Sequence, residues 1–238
     1  MMSVDKRNFF WMITGRSLSR FGDTFTFLAL TLMIYDRTES VMNVGTFLIT
    51  TSLPAILLGP FIGVWVDRLN KRRVALFGEL LRAALIFTIP FLPNVLFIYV
   101  LTFLSSTIGF VSKNAQTSLI PELFPREQLM SYNAKIASTV EIMGVVGPVL
   151  AGMLIGFWDY TPAFLLDGTT FLYSAFSLTM LNMANVVAKK SAEAAERTSF
   201  FAEMAAGAKH LIGMPRVMNA LAIMFTTMIV SGVFNVLL

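Results

Sequence analysis

Apolar residues fill 56% of the 238 positions and charged residues only 13%, with a net charge of +4 and a mean hydropathy of +0.72. A soluble domain carries roughly a quarter charged residues, so this is the composition of an all-α, multi-pass membrane protein. The cations lie in short joints between apolar stretches, which marks membrane topology rather than a nucleic-acid partner. Cysteine is absent and His210 is the single histidine, which excludes disulfides, thiolate metal ligands, cysteine nucleophiles and a His-rich metal site. No Gly-x-x-x-x-Gly-Lys loop is present for nucleotide use. No enzyme activity, cofactor or metal is expected.

A helix needs about 20 apolar residues to cross the hydrocarbon core, and seven stretches qualify: 9–35, 41–66, 74–92, 95–119, 134–157, 162–184 and 217–238. The first carries Arg16, Arg20 and Asp23 at i, i+4 and i+7, one face of a helix. At 1.5 Å per residue Asp23 falls roughly 20 Å from Phe9, near the midplane. A charge there is costly, so each such residue is a functional candidate. Asp23, with Arg20 beside it, could exchange a proton or bind substrate; the competing expectation is a structural Arg–Asp pair closing the cytoplasmic end.

The second span holds Gly59-Pro60-Phe61-Ile62-Gly63, a strip of small residues suited to close helix packing. A basic joint follows, with Gly63, Asp67, Arg68, Asn70, Arg72 and Arg73. Glu79 and Arg82 sit about two turns into the third span and Lys113 in the last turns of the fourth. Placed in the cytoplasmic thirds of their helices, these three read as an inner ion network. Pro121 is expected to end the fourth span and open a joint to residue 133.

Glu141, about two turns into the fifth span, is a second protonation candidate. Further along lie Gly144, Gly147, Pro148 and Gly152, small residues for close approach with a proline that removes one backbone hydrogen bond. Asp167 falls near the outer end of the sixth span, where capping or an outer gate is expected. Residues 185–216 are polar, but residues 199–213 place apolar side chains on one face of a helix that would lie on the membrane.

Alternate joints differ in charge. Lys6, Arg7, the 67–73 joint, Arg126 and the 185–216 segment hold nearly all the loop cations, whereas the other side has only Arg37. The N-terminus and the even-to-odd joints are therefore expected in the cytoplasm.

The joint Gly63-x-x-x-Asp67-Arg68-x-Asn70-x-Arg72-Arg73 resembles the G-x-x-x-D-R-x-G-x-R-R loop between helices 2 and 3 of the major facilitator superfamily. Asn70 stands at the second glycine, a place it can take because Asn tolerates the left-handed backbone region. Gly144, Gly147, Pro148 and Gly152 partly resemble the helix 5 signature of the family's antiporters, with Met143 and Ala151 as departures. Ser19–Asp23, Leu53-Pro54, Gly78–Ala83, Ile120–Leu129 and Phe164–Asp167 together resemble the drug:proton antiporter-3 branch, which includes macrolide efflux proteins and the enterobactin exporter.

That resemblance implies a six-helix N-terminal bundle (1–184), a cytoplasmic linker (185–216) and the first helix (217–238) of an incomplete C-terminal bundle, about seven transmembrane helices in a truncated chain. It implies a secondary active exporter of amphipathic small molecules (drug, macrolide or siderophore-like), driven by protons through alternating access in a bacterial inner membrane. The expected partners are substrate, protons, membrane lipid and the missing C-terminal half. Uptake or lipid flipping by the same fold, or a non-transporting fragment, are the alternatives. The resemblance also makes Asp67 a latch between halves, with Arg68, Arg72 and Arg73 in its charge network. One departure stands out: the signature arginine of helix 4 is missing, and Lys113 is the cation in that span.

Overall fold

A computed structural model describes residues 4–183, together with Asn219 and Thr226. The chain divides into two compact units, 1–194 and 195–238, and the helices described below belong to the first. The expected linker helix at 199–213 and the seventh span at 217–238 lie outside the described residues, apart from those two single positions.

Six α-helices follow one another: α1 (Val4–Thr38), α2 (Val41–Arg68), α3 (Lys71–Thr88), α4 (Val95–Leu123), α5 (Leu129–Phe157) and α6 (Thr161–Thr179). Short 3-10 turns at Ile89–Phe91 and Arg126–Gln128 join α3 to α4 and α4 to α5. The connections are polar and tight. Glu39 takes the left-handed conformation (φ 49°) and its N–H closes α1 onto the Tyr35 carbonyl at 2.7 Å. Ser40 then caps α2 by accepting from the Asn43 N–H. Asn94 does the same for α4, accepting from the Leu96 N–H at 2.8 Å.

The helix ends differ from those read in the sequence: α1 begins at Val4 rather than at 9, α3 runs Lys71–Thr88 rather than 74–92, and α6 stops at Thr179, short of the expected 184. Pro121 lies inside α4, which runs on to Leu123. Its missing N–H faces the last full turn of the helix, where losing one bond is tolerable, and the Phe124 N–H still closes on Ile120 at 3.1 Å. Consequently α5 begins at Leu129, five residues earlier than expected. A further correction concerns Asn70. Its φ is −74°, outside the left-handed region, and its side chain accepts from the Arg73 N–H at 3.1 Å. Asparagine is there as the N-cap of α3, not as a substitute for glycine's freedom.

Among the described residues, four stretches are long and apolar enough to cross a membrane: Val41–Gly59, Lys71–Phe91, Val95–Leu123 and Arg126–Phe157. Helices α1 and α6 are more polar because they turn their hydroxyls and charges inward. Ser17, Ser19, Thr24 and Thr26 of α1, and Asp167, Thr170, Ser174 and Ser177 of α6, are all buried. The result is an all-α, multi-pass membrane protein.

Helix α1 is the centre of the unit. It packs along α6 on one side and α5 on the other, while α3 packs on α4 and α6, and α2 leans on α4. Close approach has a visible cause. A Cβ on Gly15 would meet Ser177 and one on Gly22 would meet Asp167 and Thr170, so α1 can lie against α6 only with glycine there. Two apolar clusters result. One contains Phe25, Leu30, Ile34, Ile86, Ile98 and Phe171; the other contains Met12, Val66, Ala75, Leu119, Ile120 and Leu178. Along α1 and α3, Asp23, Glu79 and Arg82 fall between these two layers.

Candidate functional site

The polar layer opens into a cavity of about 640 Å³ lined by all six helices. Its walls are mostly apolar or hydroxyl-bearing, including Phe27, Phe47, Phe110, Thr51, Thr102 and Ser105. Five ionisable side chains face it: Arg20 and Asp23 from α1, Arg82 from α3, Lys113 from α4 and Asp167 from α6.

Asp23 is the hub. Arg82 Nη2 donates to its Oδ1 at 2.5 Å and Lys113 Nζ donates to its Oδ2 at 2.8 Å, so both oxygens are held by cations from other helices. The Asp23 side chain is 13% exposed, that of Arg82 7%, and that of Lys113 48%. The Arg82 guanidinium also stacks on the Phe171 ring, 4.0 Å from its centroid. Gly109 of α4 makes room for it: a Cβ there would lie 2.9 Å from Arg82 Nε.

This geometry regroups the residues singled out in the sequence. Arg16 and Arg20 share a helical face with Asp23, yet neither is its partner. Arg16 Nη2 donates to Thr117 at 3.2 Å, and Arg20 lies against Gly144 of α5, 3.3 Å from where a Cβ would stand. Arg82 and Lys113 join Asp23 at the cavity instead of forming an ion network with Glu79. Lys113 is well inside α4, because that helix continues ten residues past it to Leu123.

Glu79 is fully buried, and hydroxyl and amide donors surround it: Ser112 Oγ at 2.9 Å, Gln116 Nε2 at 3.0 Å and Ser19 Oγ at 3.3 Å. It ties α1, α3 and α4 together. Glu141 is exposed and does not line the cavity.

Asp167 departs from the capping role expected of it. Helix α6 starts with Tyr160 at its N-cap position and Pro162 in its first turn. Asp167 lies two turns further in and is 1% exposed. Its Oδ1 is 3.3 Å from Thr170 Oγ1, and its Oδ2 has no hydrogen-bond partner among the described residues. The sequence signal was present, since an aspartate five residues past a helix-starting proline is too deep to cap.

The α5 motif packs against α1. A Cβ on Gly147 would collide with Thr24, Gly144 lies on Arg20, and a Cβ on Gly152 would stand 3.8 Å from Leu28. Arg20, Thr24 and Leu28 recur every four residues, so they form the ridge that this small-residue groove receives. Pro148 lines the cavity. By contrast, nothing described approaches Gly59 or Gly63 on α2 within 4 Å of a Cβ position. The close-packing strip expected on that helix is an uncovered face among the described residues.

At the basic joint, Lys71 is the residue that sequence reading passed over. Its Nζ bonds to Asp67 at 3.1 Å, to Glu122 at 2.8 Å and to the Ser118 carbonyl at 3.3 Å, fastening α2, α3 and α4. Its i, i+4 spacing from Asp67 was the available signal. Arg72 donates to the Leu178 and Thr179 carbonyls at 2.8 and 2.5 Å. These belong to the orphan acceptors at the C-terminus of α6. Arg68 and Arg73 are exposed at the same end.

At the opposite end Asp36 accepts a hydrogen bond from the Tyr160 hydroxyl, joining α1 to the start of α6. Partial burial and the neighbouring Asp36 push the Tyr160 phenol up to about 12.

Comparison with known proteins agrees with this architecture. Residues 12–238 match the sequence profile of the Major Facilitator Superfamily. The uncharacterized MFS-type transporter YfiS of Bacillus subtilis is 25% identical over 88% of this chain and 50% of its own length. The putative bacilysin exporter BacE of the same organism is 26% identical over 96% of this chain and 57% of its own length. Macrolide efflux protein A of Streptococcus pyogenes is 25% identical over 68% of this chain and 41% of its own length. No solved structure matches. The chain spans about half the length of the curated relatives it matches. With the profile covering nearly all of the sequence, this chain belongs to the major facilitator superfamily.

Proposed function

We propose that the chain is the substrate-binding N-terminal half of a secondary active exporter that moves amphipathic small molecules out of a bacterial cell in exchange for protons. The observation that carries this is the cavity of about 640 Å³, apolar and aromatic over most of its wall, with the Asp23–Arg82–Lys113 cluster on one side. A pocket of that size suits a drug-sized ligand, and a few fixed charges would orient it. Relatives named as exporters of bacilysin and macrolides favour export over uptake.

The cluster supports proton coupling because its partners come from three helices. A proton or a cationic ligand that changes the charge at the cavity would alter the attraction between α1 and the α3/α4 pair. The N-terminus, the basic stretch 67–73 and the joint 124–128 with Arg126 face the cytoplasm in this reading, and Asp67 with Lys71 and Glu122 forms the inner end of the gate.

The test is accumulation of erythromycin in cells making the full-length protein. Export predicts less retained antibiotic than in control cells, and collapse of the pH gradient should abolish the difference. Greater retention would establish uptake instead. Asp23→Asn should remove most of the pH-gradient dependence; unchanged dependence would sink the cluster's role.

A further inference from the structure

Arg82 and Asp167 both leave hydrogen-bonding capacity unmet. Arg82 uses Nη2 on Asp23, while its buried Nε and Nη1 have no acceptor among the described residues. Asp167 Oδ2, also buried, accepts no hydrogen bond of normal geometry; the Thr26 hydroxyl on α1 faces the same carboxylate but is not aligned to donate to it. The two side chains line one cavity. Phe171, on which Arg82 stacks, is one helical turn beyond Asp167. Asp167 itself lies against Gly22, the residue next to Asp23.

An ionised carboxylate with an unpartnered oxygen is poorly tolerated inside a membrane protein. A second anion, Asp23, adjoins it. Asp23 is badly placed to exchange a proton, since protonation would break two ion pairs at once. Asp167 has an oxygen open to a proton and a cavity to deliver one.

Resting on the transporter reading above, the geometry points to Asp167 as the group that takes up and gives up the transported proton, with Arg82 as the switch that answers it. With the proton on Oδ2, Arg82 stays on Asp23, as observed. When the O–H bond breaks and the proton passes to water in the cavity, Arg82 turns its unused Nη1 or Nε toward the Asp167 carboxylate. Asp23 then keeps only Lys113, the more exposed of its two cations, and becomes available to a cationic ligand. No other bond changes.

The charged groups around Asp167 are consistent with this exchange. From α1 it meets Asp23, with Arg20 on the same cavity wall; from α3 it meets Arg82, with Glu79 one turn behind. Lys113 of α4 reaches it through Asp23. Helix α5 contributes only Gly144 and Pro148 to the cavity, and the turn at Ile89–Phe91 has no ionisable residue.

The experiment is an infrared pH titration of the purified full-length protein, paired with erythromycin transport in proteoliposomes under an imposed pH gradient. Wild type should show a titrating carbonyl band of a protonated carboxylic acid. That band should vanish in Asp167→Asn, persist in Asp23→Asn, and titrate with a shifted midpoint in Asp167→Glu, which also keeps the proposal testable if the asparagine variant does not fold. Gradient-driven transport should fall at least 10-fold in Asp167→Asn and recover in part in Asp167→Glu, while gradient-free exchange of erythromycin survives. A band unchanged in Asp167→Asn, or lost in Asp23→Asn instead, overturns the proposal. If wild type does not transport erythromycin at all, the exporter reading fails, and the infrared titration still decides whether Asp167 carries the proton.

Discussion

Removing Arg82 should show that Asp23 and its two cations form one energetic unit. In Arg82→Met the new side chain keeps most of the stem volume and can still lie on Phe171, so the lost element is the charge. At a separation near 2.5 Å, an effective dielectric of about 20 gives a gross attraction of about 6 to 7 kcal/mol for the pair. Desolvation of a 7% exposed guanidinium offsets much of that. Breaking such a buried pair from one side costs about 3–5 kcal/mol, because the partner charge stays behind. Lys113 remains on Asp23 and moderates the loss, which places Arg82→Met at about 3 kcal/mol. Lys113→Met should cost about 1 kcal/mol, since Lys113 is 48% exposed and water screens its pair.

Asp23→Asn alone leaves two cations facing each other, but Asp23→Asn with Arg82→Met removes the stranded charges together. The double variant should therefore lose at least 2 kcal/mol less than the sum of the two single losses. Unfolding of the purified full-length protein by sodium dodecyl sulfate in mixed micelles gives the four free energies. Additivity within about 0.5 kcal/mol, the behaviour of sites that do not interact, would refute the coupled cluster. So would equal losses from Arg82→Met and Lys113→Met.

Three further outcomes follow from local geometry. Asn70→Ala should destabilise α3 by about 1 kcal/mol and Asn70→Gly by only a few tenths; a glycine variant more stable than wild type would restore the left-handed explanation, and the same unfolding assay decides. Gly147→Ala should lower the yield of folded protein on size-exclusion chromatography, because its Cβ would collide with Thr24, while Gly63→Ala should leave this six-helix unit unaffected, as nothing described approaches it. The Tyr160 phenol, raised to about 12, should be protonated through pH 11 in ultraviolet titration. Since folding favours the neutral phenol, its contribution is intact below about pH 10 and is lost as pH rises toward 12; Asp36→Asn should lower the midpoint.

Much of the bundle was legible because membrane helices announce themselves by length and apolarity. Helix ends and charge partners were harder. Pro121 looked like a terminator, yet a proline costs one bond only, and near a helix end that bond is hardly missed. Arg16, Arg20 and Asp23 share a face on α1, and periodicity can report no more than that. The true partners of Asp23 come from 59 and 90 residues away, a relation that only tertiary packing creates. Asn70 illustrates another limit: one residue serves both left-handed turns and N-caps, and the backbone torsion chooses between them. Lys71 occupies a position that the family pattern leaves unspecified, so only its i, i+4 spacing from Asp67 marks it in the sequence.

In the proposed transport cycle, the arrangement of charge along the packing would let the cavity act as a switch rather than a static pocket. Asp23 and Asp167 belong to α1 and α6, which the glycines at positions 15 and 22 bring into close contact. Arg82 and Lys113 belong to α3 and α4, which meet closely at Gly78, where a Cβ would lie 2.9 Å from that of Ser112. Asp23 and Asp167 thus ride on one tightly packed pair and Arg82 and Lys113 on another, with the cavity along the seam and Arg20 of α1 lining it from the first pair. Within each pair, backbone approach leaves little room for motion. Across the seam α3 also packs on α6, where a Cβ on Gly168 would collide with Phe87, but the contacts at the cavity itself are ionic, so adding or removing one proton would change the balance there. Glu79 holds the far side of the seam with neutral donors from α1 and α4, and it would act as a pivot while the cavity side responds. Gln116→Ala should loosen that pivot and broaden the pH response of transport without shifting its midpoint; a shifted midpoint with unchanged steepness would place Glu79 among the titrating groups instead.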